Sequence, residues 1–220
     1  MSMWSRLRWK IAQAAEIRWW QQYLRKQEPE VYLHNKRAYW HRVLQQIDFY
    51  PQPGSQVLDA GCGPAGIFMV LEELKVDALD PLLAAYEERL AHFNRARYPQ
   101  VNFIQEPLEN LDAQAKYDAI FCLNAINHVA DIERAMDALV TALKPGGQLL
   151  LSIDAHNFVF LKKIFQLLPG DILHPHQYDL EEYRSLLTSR GLSIQQEVLL
   201  KKGGIFDYHL LLAEKFNSPK

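Results

Sequence analysis

Three glycines and a carboxylate follow one another at a spacing suited to nucleotide binding. An apolar strand ends at Asp59 and runs into Gly61, Gly63 and Gly66, which form the pattern G-x-G-x-x-G. Glycine has no Cβ and accepts positive φ angles, so the turn can be tight and a ligand can approach the backbone. The apolar run 67–71 predicts a helix after the loop, with its free N–H groups turned toward the ligand.

A second carboxylate follows the next apolar strand. Asp80 lies 17 residues after Gly63 and is followed by Pro81, a residue favoured at the first position of a helix. This spacing suits an acidic residue that accepts hydrogen bonds from both hydroxyls of a ribose. Capping of the following helix is the alternative interpretation, and the preceding glycine loop favours the ribose.

Nicotinamide dehydrogenases and methyltransferases both carry such a loop. Asp59 stands two residues before Gly61, where a carboxylate would repel a dinucleotide pyrophosphate. The same carboxylate suits a ligand that carries an ammonium or a sulfonium. The pattern therefore favours a cationic nucleoside ligand over a dinucleotide.

Strands and helices alternate through most of the chain, which predicts an α/β fold with a Rossmann-like, doubly wound sheet. The predicted strands are 56–60, 75–79, 101–105, 117–123, 147–154, 192–201 and 205–215. The predicted helices are 3–27, 30–48, 65–74, 82–96, 131–143 and 179–190. Gly203-Gly204 predicts a C-terminal antiparallel hairpin. Residues 1–50 are expected to form a helical arm or lid and 51–220 the ligand-binding domain.

Four segments together are characteristic of one superfamily. They are the glycine loop with Asp59, the strand that ends in Asp80, YDAIFCLNAINHV from Tyr117, and LKPGGQLLL from Leu143. From about residue 55 to 215 the chain resembles the class I S-adenosylmethionine-dependent methyltransferases, and its core is similar to the quinone-biosynthesis members. The resemblance implies strand order 3-2-1-4-5-7-6, S-adenosyl-L-methionine as cofactor and a small-molecule methyl acceptor whose accepting atom stays open.

The resemblance also implies which positions hold the cofactor. They are Asp59, Gly61, Gly63, Asp80, Pro81, Leu108 and Asn124. Pro107 stands where the family often has an aspartate that contacts the adenine, so Glu106 or the backbone and apolar wall of Leu108 would replace that contact. Asn124 follows the fourth strand and is expected to help shape the methyl site.

A general base is needed only if the acceptor holds its proton at neutral pH. Residues 155–178 follow the fifth strand and are expected to lie over the active site, where ligands bind in open α/β sheets. Within this insert His174 and His176 are the first candidates, followed by His128 after the fourth strand. His128 also suits a structural role. Two histidines without a third ligand make a poor metal site, so no metal is predicted.

All five tryptophans lie in the first 40 residues. Trp4, Leu7, Ile11, Ala15 and Trp19 share one face of the first predicted helix. Three interpretations stay open for residues 1–27: a lid over the pocket, which is favoured, a helix lying on a membrane surface, or a dimer contact. On the second helix Tyr32, Lys36 and Arg37 are candidates for the cofactor carboxylate.

Composition narrows the class of partner and compartment. The formal net charge is −2, but residues 1–42 carry nine basic and three acidic residues. No basic groove accompanies the core, so nucleic acid is not an expected partner. Two isolated cysteines favour a reducing cytoplasm, and neither a membrane span nor a signal peptide is predicted. The oligomeric state stays open. A nicotinamide oxidoreductase and a non-catalytic cofactor-binding module are the alternative functions.

Overall fold

The computed structural model describes residues 3–156, 178–204 and 206–217, with side chains from residue 11 onward. We number the helices and strands in chain order within this part. The helices are α1 (Met3–Leu24), α2 (Pro29–Ile47), α3 (Leu83–Arg89), α4 (Ile132–Ala142) and α5 (Leu180–Thr188). The strands are β1 (Gln56–Ala60), β2 (Lys75–Leu79), β3 (Val101–Ile104), β4 (Tyr117–Cys122), β5 (Leu143–His156), β6 (Leu192–Lys201) and β7 (Phe206–Lys215).

The seven strands form one sheet in the order β3-β2-β1-β4-β5-β7-β6. Strands β1 to β5 pair in parallel, whereas β7 is antiparallel to both β5 and β6. The predicted strand order and C-terminal hairpin are therefore confirmed. The carboxyl ends of β1 to β5 lie along one edge, which is where ligands bind in open α/β sheets.

The two N-terminal helices are packed into the core. Ile17 and Leu24 of α1 and Ile47 of α2 are buried in the same apolar cluster as Val57 of β1. The break between these helices falls where the sequence predicts it, because Pro29 takes the first position of α2. A second cluster fills the other side of the sheet beneath α4 and α5.

The predicted α-helix over 65–74 is wrong. Two short 3-10 turns, Gly63–Ala65 and Ile67–Val70, stand in its place, separated by Gly66 in an extended conformation. The side chains of Ile67, Phe68 and Met69 are all buried. Three consecutive side chains that enter the core fit an irregular segment better than one face of an amphipathic helix. The expectation that a helix directly after the loop turns its free N–H groups toward the ligand is therefore wrong.

The predicted helix over 82–96 is shorter than expected, because Leu90 is extended and a 3-10 turn follows over Arg95–Arg97. Strand β5 begins four residues before its predicted start and reaches His156. Of the predicted insert 155–178, residues 157–177 lie outside the described part of the chain. No helix of the described residues is apolar over a length sufficient to cross a membrane.

Candidate functional site

A cavity of about 330 Å³ opens at the carboxyl ends of β1, β2 and β4 and is covered by α1 and α2. This volume is within the range of small-molecule sites. The sheet side of its wall includes Gly61, Cys62, Gly63, Asp80, Pro81, Pro107, Leu108, Glu109, Asn124 and His128. The helical side includes Ala12, Gln13, Glu16, Trp19, Trp20, Lys36 and Trp40.

The glycine loop needs two of its glycines for their backbone angles. Gly61 has φ +70° and Gly63 has φ +58°, a region that side-chain-bearing residues rarely adopt. A Cβ on Gly61 would stand 2.3 Å from the Cβ of Ala125, in the loop after β4. The sequence predicts that a side chain here would meet the ligand, whereas the structure shows that it would first meet Ala125.

Asp59 lies behind the loop and does not line the cavity. Its carboxylate accepts a hydrogen bond of 3.0 Å from the N–H of Phe68, and its Oδ2 would lie 2.4 Å from a Cβ on Gly66. The third glycine is therefore required for close packing against Asp59. Asp59 stays a predicted cofactor residue, and in this structure its carboxylate is enclosed by the loop that it supports.

Asp80 stands on the cavity wall and organises the loop. One carboxylate oxygen accepts 3.0 Å from the N–H of Gly63, and the other accepts 2.8 Å from the N–H of Leu82. The residue at the N-terminal boundary of α3 is Leu82, so Asp80 is not the capping residue of that helix. A carboxylate offers about four lone-pair positions, and Asp80 therefore keeps acceptor capacity toward the cavity.

Buried acids give the cavity an acidic interior. Burial raises the pKa of Asp80 to about 7, and the nearby Glu16 carboxylate raises it further. Burial also raises the pKa of Asp59 to about 7 and the pKa of Glu16 above its usual value. Among the cavity-lining residues, Lys36 supplies an ammonium group, whose pKa burial lowers. A cationic ligand would stabilise the ionised form of these carboxyl groups.

The raised pKa of Asp80 predicts a pH dependence of stability. Because the folded protein holds this proton more tightly than the unfolded chain, the contribution favours folding below the usual value of 3.8 and is lost as pH rises to about 7. We expect the free energy of unfolding of the ligand-free protein to fall across this range, and to fall less steeply in Asp80→Asn. Urea unfolding at several pH values measures both slopes, and parallel slopes would contradict the assignment.

Asn124 is held in a strained position at the end of β4. Its φ is +56°, and its N–H donates 2.7 Å to Oγ of Ser152 on β5. Oγ of Ser152 donates 2.9 Å back to the Asn124 Oδ1, and the hydroxyl of Tyr208 on β7 also contacts that oxygen. With Oδ1 engaged on this side, the amide group of Asn124 has N–H donors left for the cavity.

Of the three histidine candidates, only His128 falls within the described part of the chain. It is exposed and lines the cavity, whereas His174 and His176 lie outside the described residues. The buried side chain in this segment is its neighbour Asn127, which accepts a hydrogen bond from the hydroxyl of Tyr183. Asn127 therefore ties this segment to α5, next to His128.

The adenine side of the predicted site is apolar. Pro81, Pro107 and the buried Leu108 line the cavity here, whereas Glu106 does not. Glu109 also lines the cavity, but one of its oxygens accepts hydrogen bonds from the N–H groups of residues 130 and 131. Leu108 and the two prolines thus form an apolar wall at the place where the family often has a carboxylate.

The face of α1 that meets the core is not the one selected from the sequence. Ile17 and Leu24 are buried, whereas Ile11 is 47% and Trp19 is 48% exposed. Glu16 turns inward and accepts 3.0 Å from the hydroxyl of Tyr86 on α3. The helix therefore rests on the cavity with the side that carries Glu16, while Ile11 and Trp19 of the predicted stripe are about half exposed.

Two tryptophans join the helices to the glycine loop. Nε1 of Trp40 donates 2.9 Å to the carbonyl of Ala65. Trp20 lies over Gly63, 3.9 Å from the position that a Cβ would take there. Neither contact follows from the sequence, because no local pattern indicates which loop a tryptophan of the arm will meet.

Of the three candidates on α2, one reaches the cavity. Lys36 lines it, with its Nζ 4.9 Å from the ring centroids of both Tyr39 and Trp40. Tyr32 is buried elsewhere, and Arg37 donates 3.4 Å to the hydroxyl of Tyr98. Lys36 is thus the candidate with access to an anionic group of a ligand.

Comparison with known proteins agrees with this geometry. The family model described as a methyltransferase domain matches residues 32–197. The chain belongs to this methyltransferase-domain family. The resemblance to class I S-adenosylmethionine-dependent methyltransferases is thereby confirmed at the level of the family.

Curated and solved relatives of the methyltransferase domain are more distant. A ubiquinone biosynthesis O-methyltransferase of Rickettsia conorii is 31% identical over 99 residues, which cover 44% of this chain and 34% of that protein. The chain thus matches about a third of that relative's length.

Solved structures share the fold of the methyltransferase domain at low identity. A Burkholderia thailandensis 1,6-didemethyltoxoflavin-N1-methyltransferase has TM-score 0.55 at 17% identity, covering 84% of this chain and 78% of that one. A Haemonchus contortus phosphoethanolamine N-methyltransferase 2 has TM-score 0.66 at 16% identity, covering 82% and 53%.

Proposed function

We propose that this chain is an S-adenosylmethionine-dependent methyltransferase that acts on a small molecule. The observation that supports the proposal most strongly is the cavity at the carboxyl ends of β1, β2 and β4, where Asp80 and the glycine loop face two covering helices. Membership in the methyltransferase-domain family and the bound ligands named for the two solved relatives support the same cofactor.

The residues present fit the groups of this cofactor. Asp80 keeps acceptor capacity for the two ribose hydroxyls, and Leu108 with Pro81 offers apolar walls for the adenine. Lys36 supplies the ammonium group for the carboxylate of the methionine part. The acidic interior formed by Asp80 and Glu16 suits the positive charges of the sulfonium and the amino group. Asp59 would act indirectly, by holding the glycine loop.

When bound, the cofactor supplies an already activated methyl group on its sulfonium. The protein therefore chiefly positions the two reactants and excludes water from the site. Asn124 presents amide N–H donors at the end of β4 and would orient the acceptor. Glu16 and Trp20 close the cavity from above. His128 is the described candidate for taking a proton from the acceptor. Residues 1–50 would act as the lid, with His174 and His176 of the insert as further candidate bases.

We further propose an oxygen atom of a small molecule as the acceptor. The curated relatives are named O-methyltransferases, and this is the observation that favours oxygen. The solved relatives are named N-methyltransferases, so the fold itself does not select the atom. A cytoplasmic location belongs to this proposal and is supported by two buried cysteines that form no disulfide.

Calorimetry distinguishes the proposed cofactor from a dinucleotide. We expect S-adenosylmethionine and S-adenosylhomocysteine to bind with micromolar dissociation constants, whereas NAD gives no measurable heat of binding. Because Glu16 and Asp80 favour positive charge, Glu16→Gln should weaken binding of the sulfonium cofactor more than binding of its neutral thioether product. Tight binding of NAD with no binding of either adenosyl ligand would overturn the proposal.

A further inference from the structure

The outward side of α1 carries apolar and aromatic side chains that the core does not use. Ile11 is 47% exposed, and Trp19 and Tyr23 are each 48% exposed. The rings of Trp19 and Tyr23 stack with centroids 5.0 Å apart and an interplanar angle of 5°. Helical spacing places these two residues four apart, on one face of the helix. We call Ile11, Trp19 and Tyr23, together with the neighbouring basic residues Arg18, Arg25 and Lys26, the outer face of α1.

The aromatic part of the outer face reaches the cavity. Trp19 lines the cavity and is also half exposed, and Tyr23 continues the aromatic surface away from it. Tryptophan and tyrosine combine an apolar ring with a polar group, which suits the boundary between water and lipid. The mouth of the cavity is thus bordered by the side chains that favour a membrane interface.

The charge around these aromatic residues has one sign. Arg18, Arg25 and Lys26 are exposed, and none of them forms an ion pair within the described part of the chain. Arg18 follows Ile11 by seven residues on the same side of α1, and Arg25 and Lys26 lie in the turn directly after the helix ends at Leu24.

The acidic residues of this region are engaged elsewhere. Glu16 bonds to Tyr86 inside the cavity, Glu28 accepts the N–H of Val31 at the start of α2, and Glu30 pairs with Arg97. The outer face therefore keeps its positive charge. A two-fold contact between copies of this chain would bring these like charges together, whereas an anionic surface complements them.

We propose that the outer face of α1 docks on an anionic lipid surface, with Trp19 and Tyr23 in the interfacial layer and Arg18, Arg25 and Lys26 among the headgroups. The helix lies on the bilayer and does not enter it as a span. One helix thus performs two tasks, since its inner side covers the cavity and its outer side binds lipid. The docking does not depend on the reaction that the cavity supports.

Sedimentation with vesicles tests the docking on the full chain. We expect the protein to pellet with phosphatidylcholine vesicles that contain phosphatidylglycerol, and not with phosphatidylcholine alone. Arg18→Glu/Arg25→Glu should lower the partition coefficient at least about 30-fold, because each basic residue near such a surface contributes about fivefold. Ile11→Ser should lower it less, through lost apolar contact.

A matched charge reversal serves as the control. Lys75→Glu/Arg134→Glu makes the same change in net charge on exposed residues of β2 and α4, neither of which forms an ion pair within the described residues, and should leave the partition coefficient unchanged. Because Arg18 and Arg25 do not line the cavity, titration with S-adenosylhomocysteine and thermal unfolding should be the same in both double variants. Equal loss of pelleting in the two variants would overturn the proposal, as would wild-type pelleting that is absent or independent of phosphatidylglycerol. Light scattering tests the alternative of a dimer. If the wild-type protein dimerises and only Arg18→Glu/Arg25→Glu abolishes the dimer, the outer face of α1 binds a second copy and the lipid proposal is overturned.

Discussion

Gly61→Ala should strongly weaken cofactor binding and also lower the stability of the fold. The added Cβ would stand 2.3 Å from the Cβ of Ala125, and an alanine would have to adopt φ +70°. The backbone angle costs about 1–2 kcal/mol and the overpacking about 1–3 kcal/mol, so the free energy of unfolding should fall by about 2–5 kcal/mol. The loop must shift to relieve the contact. The dissociation constant for S-adenosylmethionine should therefore rise at least ~100-fold. Urea unfolding and calorimetry measure the two effects.

Two variants separate backbone strain from the steric contact. Gly54 also has a positive φ, at +79°, but nothing lies within 4 Å of its Cβ position, so Gly54→Ala should lower stability and leave cofactor binding unchanged. In Gly61→Ala/Ala125→Gly the contact is removed, and part of the lost affinity should return. Normal binding by a folded Gly61→Ala variant would show that the loop is not the site.

Asp80→Ala should have the second largest effect. The change removes the acceptor of the Gly63 and Leu82 N–H groups and the proposed acceptor of the ribose hydroxyls. Hydrogen bonds to a charged group contribute about 1.5–3 kcal/mol each, so the dissociation constant should rise ~100-fold or more. Calorimetry above pH 7, where Asp80 is ionised in the folded protein, measures the effect at its largest.

Asp77 on β2, three residues before Asp80, provides the matched control. It is also a buried carboxylate, but it accepts from Asn102, Lys116 and Tyr117 and does not line the cavity. Asp77→Ala should lower the free energy of unfolding and leave the affinity of the folded protein for S-adenosylmethionine unchanged. If both variants lose affinity equally, the effect of Asp80 is one of stability alone.

The strands were predictable because buried parallel strands have short apolar runs bounded by turn residues. All seven were found within a few residues, and the Gly203-Gly204 turn with the antiparallel β7 was identified as well. The segment after the glycine loop was not. Its run of apolar residues has the composition of a helix. The irregular backbone depends on a tertiary contact, because the N–H of Phe68 donates a hydrogen bond to the carboxylate of Asp59.

The site was predictable where it depends on local spacing and not where it depends on packing. Asp80, Gly61 and Gly63 are placed by the strand ends that precede them. Glu16 and Trp20 come from the far end of the chain, and their position over the cavity depends on how α1 lies against α3. A sign was present in the sequence, since Glu16 is an isolated acid in a basic, aromatic helix, and such a residue needs a partner.

Transfer of label from methyl-labelled S-adenosylmethionine to a soluble metabolite extract tests the central claim most directly. We expect the full chain to move the label into a small organic product and to form S-adenosylhomocysteine in equal amount, while Asp80→Ala transfers little under the same conditions. Identification of the labelled product by mass spectrometry would name the accepting atom. If calorimetry shows that the cofactor binds but no label reaches the soluble extract or a lipid extract, the claim of enzymatic activity is contradicted. A non-catalytic cofactor-binding module would then be favoured.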